Sequence, residues 1–187
     1  MKDKFEKIDN PSPQERVFAS NDKDAIESPE TRSSRVFMEN KDIVGPDRVF
    51  GAIFDSLASG RNSLNEKQQT DTLDLIEDLI SKIRDYHDSY VNLKKTASKE
   101  RRMYFGEDVQ KYQETVKNAD RREKILHDAF VDSINILSRH MKKVGLDNSW
   151  RGDSKIYGGN PASNRLKAKL WMFEIFGESK TLINQDH

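Results

Sequence analysis

Apolar side chains return at three- and four-residue steps over three stretches of this 187-residue chain and are sparse before residue 47. That spacing puts them on one face of an α-helix. The first stretch predicts a helix from about Thr70 to about Ala97, striped by Leu73, Ile76, Ile80, Ile83, His87, Tyr90 and Leu93, with Leu75, Leu79 and Tyr86 widening the stripe. A stripe that wide packs against more than one neighbour. Thr70 is the expected N-cap, with Asp71 and Asp74 where the helix dipole favours anions. The second stretch predicts the longest element, 107–144, through Val109, Tyr112, Val116, Ala119, Leu126, Ala129, Phe130, Ile134, Leu137, Met141 and Val144. At about 1.5 Å per residue it spans about 57 Å, and its polar first half is expected to project or bend away. Gly145 ends it, and a loop runs to Pro161. The third predicted helix, 161–176, is capped by Asn160 and presents Leu166, Leu170, Phe173, Ile175 and Phe176, joined by Trp171 and Met172.

A shorter segment, 47–60, carries Val49, Phe50, Ile53, Phe54 and Leu57 on one face, with Asp47 as its cap and Gly60 as its end. The expected fold is all-α: a three-helix antiparallel bundle over 70–177 with one long helix, the 47–60 helix packed on it, and a flexible tail at 178–187.

Residues 1–46 predict a disordered arm. They hold Pro11, Pro13, Pro29 and Pro46, are rich in Ser, Asn, Asp, Glu and Lys, and show no sustained period. Inside the arm and at its end one tripeptide recurs: Arg16-Val17-Phe18, Arg35-Val36-Phe37 and Arg48-Val49-Phe50, each followed by an acid at Asp22, Glu39 or Asp55. The spacings of 19 and 13 are not a structural period. One reading makes these nine residues partner-binding linear motifs, whose multiple copies raise avidity. The other makes the recurrence a coincidence, or a strand-like tether lying on the protein's own surface.

Composition sharpens the division. Hydrophobic and charged residues each make up 34% of the chain, fewer apolar and more charged than a fully cored protein carries. The absence of cysteine excludes disulfides, thiolate metal sites and cysteine nucleophiles, and fits a reducing compartment. With no signal-like N-terminus and no apolar run long enough to span a bilayer, the expectation is a cytoplasmic protein of bacterial or phage type that does not engage membranes. Formal charge is zero overall, yet 70–93 nets −4 and 94–124 nets +4, which suits two neighbouring helices that attract each other.

Candidate chemistry is thin. Gly158-Gly159 matches no phosphate-binding fingerprint, and no Glu-x-x-His pair marks a helical metal site. No metal, no cofactor and no catalytic set is therefore expected, and the four histidines read as polar groups at helix seams. A polar patch is expected from Arg121, Arg122, His127, Asp128, Asp132 and Asn135, either as a partner or phosphate surface or as an interhelical salt-bridge network. The runs Asp120-Arg121-Arg122, His127-Asp128-Ala129-Phe130 and Ser133-Ile134-Asn135-Ile136-Leu137 resemble a small helical domain of unknown function found in Gram-positive bacteria and their phages, over about 70–177. The resemblance implies a helical fold and no activity.

Lys94, Lys95, Lys99, Arg101 and Arg102 cluster beside Tyr104 and Phe105, a combination able to bind phosphates and stack bases. The near-neutral pI of about 6.9 argues against a dedicated nucleic-acid module. The expected function is a non-enzymatic protein-interaction or adaptor protein with a docking arm, dimerising through the long helix by coiled-coil pairing. The alternative is a small nucleic-acid-associated regulatory protein using the basic cluster.

Overall fold

A computed structural model describes residues 27–45, 47–100, 108–151 and 161–177. The described residues are helical, with no strand among them: α1 (Pro29–Glu39), α2 (Lys41–Val44), α3 (Arg48–Gly60), a 3-10 turn (Arg61–Ser63), α4 (Glu66–Glu100), α5 (Asp108–Val144) and α6 (Pro161–Ile175).

The two long helices form the frame. Thr72 meets His140 and Tyr86 meets Glu123, so residues rising along α4 pair with residues falling along α5, and the two run antiparallel. The expected stripe of α4 is buried at Leu73, Ile76, Leu79, Ile80, Ile83, Tyr86 and Tyr90. On α5 the buried set is Ala119, Phe130, Ile134, Leu137 and Met141, while Val109, Tyr112 and Val116 in its polar first half are only half-buried.

Helix ends follow local chemistry. α4 starts four residues before the expected cap, because Asn65 and Gln68 exchange side-chain-to-backbone hydrogen bonds (Gln68 N to Asn65 Oδ1, 2.8 Å; Asn65 N to Gln68 Oε1, 3.0 Å). Thr70 instead donates its hydroxyl to the Glu66 carbonyl within the helix. α5 ends at Gly145, whose φ of 81° suits glycine. There Leu146 N bonds the Met141 carbonyl at 2.9 Å and Gly145 N the Lys142 carbonyl at 3.4 Å, which satisfies two terminal carbonyls. α3 ends at Gly60 as expected, but with a right-handed helical backbone there; the small size of Gly60 matters because a Cβ collides with the Leu146 side chain.

The expectation of a disordered arm through residue 46 is corrected for residues 29–44. Ser28 caps α1 by accepting from Thr31 N, Pro29 occupies the first turn, and Asn40 closes it by donating Nδ2 to the Val36 carbonyl at 2.8 Å. Val36, Ile43 and Val44 are then fully buried. Arg32 bridges Asp74 at 2.6 Å and Glu77, and Arg84 reaches Asp42 at 3.3 Å, so both ends of this segment are pinned to α4. Composition hid this because a short helix needs only a few apolar anchors when a ready-made surface receives them. The core accordingly draws on α1 and α2 as well as on the four helices that the apolar spacing predicts.

α6 departs from its expected face at one position. Trp171, Met172, Phe173 and Ile175 are buried, whereas Leu166 is 48% exposed. Apolar residues surround this helix, so the pattern alone could not choose its inner side.

Deleting residues 1–26 is expected to leave the melting temperature unchanged. Deleting 1–46 removes three buried aliphatic side chains, each contributing about 1.5–3 kcal/mol, and is expected to lower it by roughly 10 °C or more. Calorimetry of the two truncations checks both outcomes.

Candidate functional site

α4 and α5 place a line of polar groups along their crossing. Tyr86 on α4 is buried against Glu123, His127 and Phe130 on α5. Its hydroxyl donates to Glu123 Oε1 at 3.3 Å, and the His127 ring meets it edge-on at 5.5 Å. His127 Nδ1 lies 2.9 Å from Asp128 Oδ1, while its buried Nε2 has no hydrogen-bond partner among the described residues. A hydrogen bond between buried polar groups on the two helices favours one register over the others.

Next to this line the helices open into a groove of about 420 Å³. Asp85, Asp88, Ser89 and Asn92 line it from α4, at the spacing of one helical face; Arg122 and Leu126 line it from α5. Two carboxylates, an amide, a guanidinium and an apolar floor suit the recognition of a chain segment bearing charges and one apolar side chain.

A second junction lies between α3 and α6. Asp47 Oδ1 accepts from Phe50 N at 2.8 Å, as expected of its cap role, and its other oxygen accepts from Trp171 Nε1, also at 2.8 Å. Burial raises the Asp47 carboxyl above its ordinary value, opposed by these hydrogen bonds. The third junction joins α6 to α4: Phe176 stacks on His87 at 3.8 Å, Phe173 meets Tyr90 edge-on at 5.1 Å, and Lys94 and Lys169 lie 5.7 and 4.6 Å from the Tyr90 ring centre.

The residues singled out in the sequence fare unequally. Of the Arg-Val-Phe copies, Arg16, Val17 and Phe18 lie outside the described residues. In the second copy Arg35 pairs with Glu27 and Glu39, Val36 is buried, and Phe37 meets Phe54 edge-on at 5.3 Å. In the third, Arg48 is exposed, while Val49 and Phe50 are buried, Phe50 stacking on Trp171 at 5.7 Å. The docking reading is corrected for these two copies: their apolar side chains are spent on the protein's own core. Of the basic cluster, Lys95 is exposed and Lys94 half-buried, Lys99 is on α4, and Arg101 and Arg102 lie outside the described residues. The polar patch divides. Arg122 faces the groove, Arg121, Asp128 and Asp132 are exposed, His127 is interior, and Asn135 bonds the Val131 carbonyl at 3.1 Å and Arg151 at 3.4 Å. No group of three or more metal-ligating side chains occurs among the described residues.

Comparison with protein-family models, curated proteins and solved structures finds no match to this chain. The groove and the Asp47–Trp171 junction were missed in the sequence. The first needs the register between α4 and α5; the second joins positions 124 residues apart.

The raised Asp47 carboxyl means the folded chain holds a proton more tightly than the unfolded one. Its contribution to stability is full below the unfolded value of 3.8 and is lost as pH rises through the folded value. Asp47→Asn keeps a competent cap and is expected to flatten that acid-range slope, as urea midpoints measured across pH 3–6 will show.

Proposed function

We propose that the chain is a non-enzymatic interaction protein, an adaptor that binds a partner protein through the groove between α4 and α5. The observation that carries this reading is the groove itself, where Asp85 and Asp88 face a guanidinium, Arg122, across a floor that includes Leu126. The fitting partner is a protein segment that offers a basic side chain to the aspartates and a carboxylate to the arginine. The reading uses α4, α5 and α6 as a three-helix antiparallel bundle. The pairs Tyr90–Phe173 and His87–Phe176 support it, since they set α6 antiparallel to α4. Homodimerisation through α5 belongs to the same reading: Ile125 and Ile136 are 61% and 45% exposed and stand 11 residues apart, three turns on one face. No helix among the described residues is long and apolar enough to cross a membrane. On this reading the protein works in the cytoplasm.

Asp88→Lys and Arg122→Glu, each alone, are expected to weaken capture of the partner at least tenfold in quantitative cross-linking from cell extract, with the helical circular dichroism unchanged. Capture that is indifferent to both reversals overturns the groove as the binding site.

A second reading, nucleic-acid binding, draws on one observation. Lys169 of α6 joins Lys94 at the ring of Tyr90, so the basic end of α4 is enlarged by a residue from another helix. It predicts binding of a single-stranded oligonucleotide that weakens steeply with salt and is lost when Lys94, Lys95 and Lys169 are changed to Glu. No binding at low salt removes it.

A further inference from the structure

The segment that α4 holds through α1 and α2 has a near-duplicate upstream. Residues Arg35-Val36-Phe37-Met38-Glu39-Asn40-Lys41-Asp42-Ile43-Val44 align with Arg16-Val17-Phe18-Ala19-Ser20-Asn21-Asp22-Lys23-Asp24-Ala25-Ile26 once Asp22 is allowed as a single insertion. Arginine, valine, phenylalanine, asparagine, lysine and aspartate are identical, and both segments close on two apolar residues. The third Arg-Val-Phe copy, aligned without a gap, shares the tripeptide and one aspartate, Asp55 in the place of Asp42.

The structure shows what each shared residue does in the downstream copy. Val36 and the closing pair Ile43 and Val44 are buried. Phe37 packs on Phe54 of α3. Asn40 caps α1 through the Val36 carbonyl, Arg35 lies 3.7 Å from Glu77, and Asp42 pairs with Arg84. The retained Arg35, Val36, Phe37, Asn40 and Asp42 make these contacts, and the buried Ile43 and Val44 keep apolar counterparts, while Met38 and Glu39, which differ, are exposed, as is the retained Lys41.

We infer that the seat formed by Phe54, Glu77 and Arg84 on α3 and α4 is a binding site for this segment pattern, and that residues 16–26 of the same chain are its second ligand. The inference is independent of the groove between α4 and α5. Connectivity decides which ligand sits there by default. Three residues separate Val44 from the start of α3, and 21 separate Ile26 from it. Loop length alone then disfavours the upstream segment by about 20-fold, from the three-halves power of the sevenfold ratio. Ala25 in the place of Ile43 fills less volume and adds to the preference. Residues 35–44 hold the seat, and 16–26 take it when the first ligand is weakened. Burying a carboxylate at position 36 costs more than a 20-fold bias, so such a change is enough to exchange them.

The test uses the full chain. Val17→Asp alone is expected to leave the melting temperature unchanged. Val36→Asp alone lowers it modestly, because the upstream copy takes over. The two together lower it by about twice as much as Val36→Asp or more, a non-additivity that reports the coupling. A double variant no less stable than Val36→Asp overturns the inference. The chain has no cysteine, so a second measurement is clean. Ser81 lines the same surface hollow as Asn40, and Ser20 precedes Asn21 as Glu39 precedes Asn40. In the Val36→Asp background, Ser20→Cys and Ser81→Cys are expected to be joined within one chain by a short bismaleimide. No cross-link, or one found only in covalent dimers, overturns occupation by the same chain.

Discussion

The indole of Trp171 is the point on which the rest of the structure leans. Its nitrogen donates to the carboxylate that caps α3, and its ring lies between Phe50 of α3 and Phe130 of α5. One side chain thus ties together three helices that are far apart in the sequence. From Phe130 the contact runs on to Tyr86, and from there to Glu123 and His127. The aromatic core and the polar line between α4 and α5 are therefore one continuous set of contacts. An apolar ring with a polar tip suits this position, because the ring can be buried while the donor still finds an acceptor.

Much of this arrangement was legible in the amino-acid pattern, and its failures have physical causes. α4 and α5 are long enough for a 3.6-residue period to stand out, and the expected stripe residues Leu73, Ile76, Ile80, Ile83 and Tyr90 are buried. α1 and α2 were concealed because they bring only Val36, Phe37, Ile43 and Val44 to the interface, among serines, acids and prolines. The sequence Ser28-Pro29-Glu30 was a legible helix start in that stretch. In the Arg-Val-Phe repeat, a buried Phe50 and a buried Val36 serve the protein's own packing. Of the candidate site, Arg122 was identified from its neighbours in sequence. Its partners across the groove, Asp85 and Asp88, could emerge only once α5 was laid against α4.

The surface divides by the kind of chemistry it offers. Between α4 and α5 the exposed groups are charged in both signs and sit in a concave place. At the end of α4, two lysines from different helices crowd one tyrosine ring. Along the outside of α5, two isoleucines stand exposed among polar residues. The α1–α2 segment lies elsewhere, held by Arg32, Asp42 and buried aliphatic groups against α4. Substitutions in the groove and substitutions in that segment thus act on separate contacts.

The 124-residue separation of Asp47 and Trp171 has a consequence for the order in which the chain assembles. α4 and α5 pair through contacts between helices adjacent in the chain, whereas the indole-to-carboxylate link joins positions 124 residues apart. Long-range closure is entropically slow compared with local pairing. During synthesis the α4–α5 pair is complete well before residue 171 leaves the ribosome. α3 therefore gains the indole against Phe50 and Asp47 only when α6 arrives.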